Sequence, residues 1–164
     1  MSKYIIEIKW AIQFSILTLV WMIIEKSVGL HDQYIDKHAA YTNLFGIVAI
    51  VAYFLALLDK KKNYYAGKMD WKQGFISGLV LSAFIAVLSP VVQYIIFTYI
   101  TPHFFERITD YAVSHKIQTP AQADAFFNLK SYMLQGIFGA LSMGVITAAL
   151  VALIVKTKDY RHEK

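Results

Sequence analysis

Histidines and carboxylates are concentrated in one short polar stretch of an otherwise apolar sequence. We treat six side chains of this stretch as a candidate polar cluster: Glu25, His31, Asp32, Asp36, His38 and Asn43. Imidazole and carboxylate groups bind divalent metal ions and transfer protons, so this cluster has the widest chemical scope in the chain. Its spacing, however, matches no tight metal-binding motif. We therefore expect a solvated or cap-forming loop here, with no metal and no other cofactor.

The motifs of the common enzyme classes are missing from the sequence. It contains no glycine-rich phosphate loop, no nucleophile elbow and no HExxH zinc motif. It also contains no cysteine, which excludes disulfides, thiolate metal sites and cysteine nucleophiles. We therefore expect that the protein is not an enzyme. The enzymatic alternative is a lipid-modifying activity at the outer leaflet that uses Glu25, His31, Asp32 and His38.

The elements that must position these residues are membrane helices, because the composition is that of an integral membrane protein. Of the 164 residues, 57% are hydrophobic and 16% are charged, whereas soluble domains average roughly 45–50% and 25%. Four stretches are long and apolar enough to cross a bilayer as helices, at about residues 4–25, 41–58, 71–100 and 131–155. We predict a single domain over residues 1–164, folded as an all-α four-helix bundle.

Lysine and arginine are distributed unevenly between the two sides of these spans. Eleven of the 16 lie in the N-terminal segment, the loop between the second and third spans, and the C-terminal tail. The acidic residues divide five to six, so one side carries a net charge of +6 and the other −1. The positive-inside rule predicts a bacterial inner-membrane protein with both termini in the cytoplasm. The basic residues lie beside spans, which does not indicate nucleic acid; we expect Lys60, Lys61 and Lys62 to contact anionic lipid headgroups.

The ends of the first and third spans carry local boundary signals. Residues 27–29 resemble a signal-peptide cleavage site, but Glu7 is an acidic residue in what would be a positive leader. We therefore expect an intact first helix that Gly29 ends in a left-handed conformation. Asp70 and Gln73 have the spacing of a capping box, which predicts the start of the third helix.

The connection between the third and fourth spans, residues 101–130, is the least hydrophobic part of the chain. Thr101-Pro102 and Thr119-Pro120 each place a capping hydroxyl before a proline suited to the first helical turn. These pairs predict two helices, of which the second continues without a break into the fourth span. Together they would form a small extracytoplasmic helical hairpin.

Small residues recur at every fourth position in the third and fourth spans. They are Gly74, Gly78, Ser82 and Ala86 in the third, and Gly136, Ala140, Gly144 and Ala148 in the fourth. Such series let helix backbones approach closely in lipid, so we expect the two helices to pack together. The alternative is that one series faces a partner protein or a second copy. Pro90 predicts a kink, and Gln93 lies one turn later, where it can bond the carbonyl that the proline leaves free.

Several motifs are similar to those of a known bacterial membrane family. They are Trp21-Met22-Ile23-Ile24-Glu25-Lys26, Gly29-Leu30-His31-Asp32, Tyr41-Thr42-Asn43-Leu44, Asp59-Lys60-Lys61-Lys62, Gly67-Lys68, Gly74-Phe75-Ile76-Ser77-Gly78, Leu88-Ser89-Pro90 and Phe126-Phe127-Asn128-Leu129. On these residues the chain resembles, over nearly its whole length, the family called domain of unknown function 4199. The resemblance implies a small inner-membrane protein with four spans. It implies no activity and no catalytic or binding residue.

Two functional hypotheses follow from these patterns. The first is a non-enzymatic accessory or assembly protein that acts through a membrane-protein partner or as a homo-oligomer. The span interiors carry no ionisable residue, which argues against ion-coupled pumps and proton-coupled carriers. The second hypothesis is a small-solute transport or channel protein that works as an oligomer, with Gln13, Ser89 and Gln93 lining its pore.

Overall fold

The computed structural model describes residues 3–157, which form seven α-helices and one π-helical turn. The helices are α1 (Ile5–Ser27), α2 (Ile35–Thr42), α3 (Phe45–Asn63), α4 (Trp71–Ile95), α5 (Phe104–Ser114), α6 (Pro120–Phe126) and α7 (Leu129–Val155), and the π-helical turn Ile96–Ile100 extends α4. Four helical segments are long and apolar enough to cross a membrane. The prediction of an all-α, multi-pass bundle is therefore confirmed. The tail residues Lys158, Arg161 and Lys164, which enter the charge count, lie outside the described residues.

Helix α4 lies at the centre of the bundle and packs against α1, α3 and α7. It begins at the predicted capping box, in which Gln73 N–H donates to Asp70 Oδ1 over 2.8 Å and Asp70 N–H donates to Gln73 Oε1 over 3.0 Å. We call the side of the bundle where α4 begins the basic end. The opposite side, which carries α2, α5 and α6, is the hairpin end.

The most extensive helix contact in the fold joins α4 to α7 through their small residues. A Cβ atom added to Gly78 would lie 2.4 Å from Ala148 Cβ, and one added to Gly144 would lie 2.3 Å from Ser82 Oγ. One added to Gly74 would lie 3.2 Å from the Cβ of Ala152. The two series of small residues therefore face each other inside one chain, at a separation that larger side chains would prevent.

Two predicted helix boundaries at the hairpin end are wrong, although Gly29 ends α1 in the expected left-handed conformation, with φ of +83°. Helix α5 begins at Phe104 with His103 at its N-cap, not after Thr101. The π-helical turn continues α4 to Ile100, and Thr101 N–H donates to Ile96 O over 2.8 Å. Thr101 therefore ends one helix and cannot cap the next.

The second wrong boundary is the predicted continuous helix from Pro120 into the last span. Helix α6 starts after the Thr119 cap as expected, with Gln122 completing a capping box, but it ends at Phe126. Asn128 causes the break, because its Nδ2 donates to Asp124 O and its Oδ1 accepts from Ser131 N–H, each over 2.9 Å. One side chain thus caps the end of α6 and the start of α7.

A buried ion pair joins three helices at the basic end. Lys60 Nζ lies 2.8 Å from Glu7 Oε1, and Ser77 Oγ donates to that same oxygen over 2.6 Å. Lys60 and Glu7 are each only 3% exposed. The expectation that Lys60 contacts lipid headgroups is therefore wrong. Lys61 donates to Val155 O at the end of α7, and Lys62 is exposed.

We expect Gly78→Ala to lower the stability of the protein in detergent by about 1–3 kcal/mol, because the new methyl group overpacks against Ala148. The matched control is Gly139→Ala in α7, where an added Cβ meets no atom within 4 Å. That control should be neutral or stabilising by up to about 1 kcal/mol, since alanine favours helix. Thermal unfolding followed by circular dichroism distinguishes the two. Equal destabilisation of both variants would contradict close α4–α7 packing.

We expect Lys60→Met to cost about 3–5 kcal/mol of unfolding free energy, because it leaves the Glu7 carboxylate buried without its cation. Adding Glu7→Gln to that variant removes the uncompensated charge and should restore most of the lost stability. Lys62→Met, at the exposed neighbouring lysine, is the control and should change the stability little. If the double variant were as unstable as Lys60→Met alone, the lost stability would not come from an uncompensated charge on Glu7.

Candidate functional site

Three members of the candidate polar cluster meet in a buried triad at the hairpin end. Glu25 Oε2 lies 3.2 Å from His31 Nε2 and 3.5 Å from His38 Nδ1. The side chains of Glu25 and His31 are 1% and 0% exposed, and that of His38 is 13% exposed. The expectation of a solvated loop is therefore wrong for these residues.

The local fold brings the first two residues of the triad together. Glu25 lies in the last turn of α1, and Gly29 turns the chain back in a left-handed conformation. Leu30 N–H then donates to Glu25 O over 3.0 Å, which places the next residue, His31, over the end of the helix. A Cβ on residue 29 would be strained by its φ and would lie 2.9 Å from Gln33.

Other elements complete the walls of the triad. Helix α2 contributes His38, and α5 contributes Phe104, whose ring centroid lies 5.3 Å from that of His31 and 4.9 Å from that of His38. Trp21, one turn before Glu25, donates its indole N–H to Glu25 Oε1. The site therefore combines four segments of the chain under an apolar cover. Sequence reasoning missed Trp21 and Phe104 as members of this site.

The structure separates the other three members of the predicted cluster from the triad. Asp32 forms an exposed ion pair with Arg107 of α5, and Asp36 is exposed. Asn43 donates to Ala39 O over 2.6 Å and faces a cleft between the helices. The predicted cluster thus contains one buried site and three residues outside it. Asp32 and Asp36 are exposed to solvent, which we had expected of the whole cluster.

The triad is the group of described residues whose atoms could hold a metal ion. Its three ligand atoms, one carboxylate oxygen and two ring nitrogens, all lie within 4.8 Å of one another. Imidazole and carboxylate together suit zinc and other first-row transition metals. In the absence of an ion, the same groups can share protons, because a histidine ring nitrogen and a carboxylate form a charge-assisted hydrogen bond.

A cleft of about 470 Å³ lies between α3 and α7 in the hairpin half of the bundle. All four long helices contribute to it, and its walls are mainly apolar. Tyr53 lines the cleft on the side of the basic end, and its hydroxyl lies 2.8 Å from Ser82 Oγ. Ile50 and Met143 are 51% and 61% exposed where the cleft opens. Because this opening lies midway along two spans, it faces the bilayer interior; we call it the lateral cleft.

The polar residues near Pro90 have different positions relative to the lateral cleft. Ser89 and Gln93 line it, and Gly136 provides space for both, since a Cβ there would lie 2.2 Å from Ser89 Oγ and 3.1 Å from Gln93 Nε2. Gln13 is exposed on α1 and does not line the cleft. Within one chain, the three residues that the transport hypothesis places in one pore therefore do not share a surface.

Comparison with known proteins identifies a family without a described activity. The family model described as "Protein of unknown function (DUF4199)" matches residues 9–157 of the chain. No curated protein and no solved structure matches it. The match covers nearly the whole sequence and confirms the resemblance of the sequence motifs. The chain therefore belongs to the DUF4199 family.

Proposed function

We propose that this chain is a non-enzymatic accessory or assembly protein, and that it binds the transmembrane helix of a partner protein in the lateral cleft. The observation that carries this proposal is a pair of glycines, Gly46 of α3 and Gly139 of α7, on the walls of the cleft. A Cβ atom added to either glycine would meet no atom within 4 Å. Within residues 3–157, no neighbouring atom excludes a Cβ at these two positions.

These two glycines differ from those of the α4–α7 contact. Gly78, Gly136 and Gly144 are each held against another side chain at a distance that excludes a Cβ. Gly139 lies in the interior of α7, where glycine costs roughly 0.5–1 kcal/mol relative to alanine, so its lack of an internal contact calls for another explanation. Small residues allow close approach of helix backbones in lipid, whereas fluid acyl chains adapt to any surface. The pair therefore supports a helix as the occupant of the cleft.

The occupant that we propose is a helix of a different protein and not a second copy of this chain. A helix of one copy in the cleft of the next would form a head-to-tail interface, which gives a ring where the rotation closes and an open filament where it does not. A different protein ends the assembly at two partners. Ser89 and Gln93 offer polar groups to such a helix, which suits the interhelical hydrogen bonds that stabilise membrane complexes.

The proposal also includes an orientation and a compartment. The charge distribution supports a bacterial inner membrane, with both termini and the basic end in the cytoplasm. The hairpin end, with the triad, then belongs to the outer side. Lys62, which is exposed, remains a candidate contact for anionic lipid headgroups on the cytoplasmic side.

A second candidate function, small-solute transport by an oligomer, is favoured by the presence of Ser89 and Gln93 in the cleft. A pathway across the membrane would also need the cleft to continue through the basic half. There the helices pack in an apolar core that includes Leu81 and Val151, and around the buried ion pair of Glu7 and Lys60. The binding of a partner helix requires no such pathway and is the better supported function.

We expect a photoreactive residue in place of Met143, at the opening of the cleft, to crosslink to one partner protein in native membranes. The matched control is a photoreactive residue in place of Phe138, which is 68% exposed on the same helix and does not line the cleft. Adding Gly139→Leu should abolish the specific adduct, because the larger side chain fills the space that a partner backbone needs.

Mass analysis of the adducts tests this proposal directly. The proposal is supported if position 143 gives one protein adduct, if position 138 does not give that adduct, and if Gly139→Leu removes it. Adducts with lipid alone, or an adduct of twice the mass of the chain, would contradict it. Gly139→Leu should leave the thermal unfolding of the purified protein within about 1 kcal/mol of the wild type, since its Cβ faces open space.

We expect the two ends of the bundle to be accessible from opposite sides of the membrane. The chain has no cysteine, so single replacements give clean labelling sites. A membrane-impermeant maleimide added to intact spheroplasts should label Ile117→Cys, in the exposed turn between α5 and α6. It should label Lys62→Cys only after lysis. The reverse result would contradict the proposed orientation.

A further inference from the structure

We propose that the triad of Glu25, His31 and His38 is a binding site for a divalent transition-metal ion, for which Zn²⁺ is the best fit. Three different segments supply the ligands: the end of α1, the loop after it, and α2. Their ligand atoms lie within 4.8 Å of one another. Two neutral imidazoles and one carboxylate form a ligand set that zinc accepts and that the oxygen-preferring ions Ca²⁺ and Mg²⁺ do not favour.

Two of the three distances in the triad match those of a coordination polyhedron. Nitrogen and oxygen ligands at about 2.0–2.1 Å from a tetrahedral zinc ion lie about 3.4 Å from each other. Glu25 Oε2 lies 3.2 Å from His31 Nε2 and 3.5 Å from His38 Nδ1. A hydrogen bond accounts for the first of these distances. It does not account for the second, because His38 Nδ1 is buried without any hydrogen-bond partner.

That unpartnered nitrogen is the second observation in favour of a ligand. A buried polar atom without a partner costs roughly 1–3 kcal/mol, so such atoms call for a specific explanation. His38 Nδ1 lies 3.5 Å from the Glu25 carboxylate and, like His31 Nδ1, has no hydrogen-bond partner among the described residues. A metal ion between the two groups would satisfy both, because it accepts the nitrogen lone pair and the carboxylate oxygen together.

The charge balance of the site also favours a cation. Glu25 is 1% exposed, and a buried carboxylate is strongly destabilising unless it is compensated. Lys26, which follows Glu25 in the sequence, donates to Ile100 O, and Arg107, which donates to His31 O, pairs with Asp32. Trp21 supplies a neutral N–H group only. A doubly charged ion would compensate Glu25 and keep both histidines neutral, as metal ligands must be.

The surroundings suit a tightly held ion in a protected site. The Phe104 ring covers both histidine rings, and such an apolar shell limits the access of water to a metal. Three protein ligands leave a fourth position for water or for another group. The site would thus fasten α1, α2 and the intervening loop to one another, and its occupancy does not depend on whether the lateral cleft binds a partner helix.

The test uses the full-length protein, purified in detergent, stripped with a chelator and then titrated with Zn²⁺. We expect one zinc per chain by elemental analysis after desalting, and a higher unfolding temperature when the ion is present. His38→Ala should weaken zinc binding more than about 100-fold, since loss of second-shell groups alone costs 10–100-fold. His103→Ala removes an exposed histidine at the hairpin end and is the matched control; it should bind zinc as the wild type does.

Cobalt provides a measurement that does not depend on a folded variant. Co²⁺ in the wild-type protein should give the visible absorption of a four-coordinate nitrogen and oxygen site, and Zn²⁺ should displace it. Wild-type protein that binds no stoichiometric zinc and gives no such cobalt spectrum would overturn the proposal and leave a proton shared within the triad. Zinc binding that His38→Ala and His103→Ala reduce equally would overturn it as well.

Discussion

The close approach of α4 and α7 is the contact on which the rest of the bundle depends. Burial of apolar surface gives little drive for helix association in lipid, so packing geometry decides which helices meet. Gly78 and Gly144 let the two backbones approach to a distance that a single methyl group would prevent. Helix α1 then occupies the other side of α4. Helix α3 joins α7 through Tyr53 in the basic half, and the gap between them in the hairpin half is the lateral cleft.

Helix α1 carries a buried carboxylate near each end, and each one connects it to other elements. Glu7 binds Lys60 of α3 and Ser77 of α4, so it fixes the basic end of the bundle. Glu25 contacts His31 and His38, so it connects the hairpin end of α1 to α2. Since α2 is followed after two residues by α3, the triad and one wall of the lateral cleft belong to the same short stretch of chain.

The sequence was sufficient for those features that depend on neighbouring residues. The four spans follow from apolar runs, and the helix caps at Asp70 and Thr119 follow from the residues around them. The small residues at every fourth position indicate that α4 and α7 face each other. It was insufficient where distant residues decide the environment. His31 is buried against Phe104, which lies more than 70 residues later in the sequence. The charge of Lys60 indicates a surface position, and only its pairing with Glu7 reverses that.

Features that lower stability without any internal benefit indicate where a protein works, because selection for stability alone would remove them. Two such features lie in the hairpin half. Gly46 and Gly139 have free space where a side chain would fit, and His38 Nδ1 is buried without a partner. In the basic half, by contrast, the buried charges of Glu7 and Lys60 compensate each other. The basic half therefore has the character of a scaffold. The hairpin half contains the residues whose properties we explain by a bound metal ion and a partner helix.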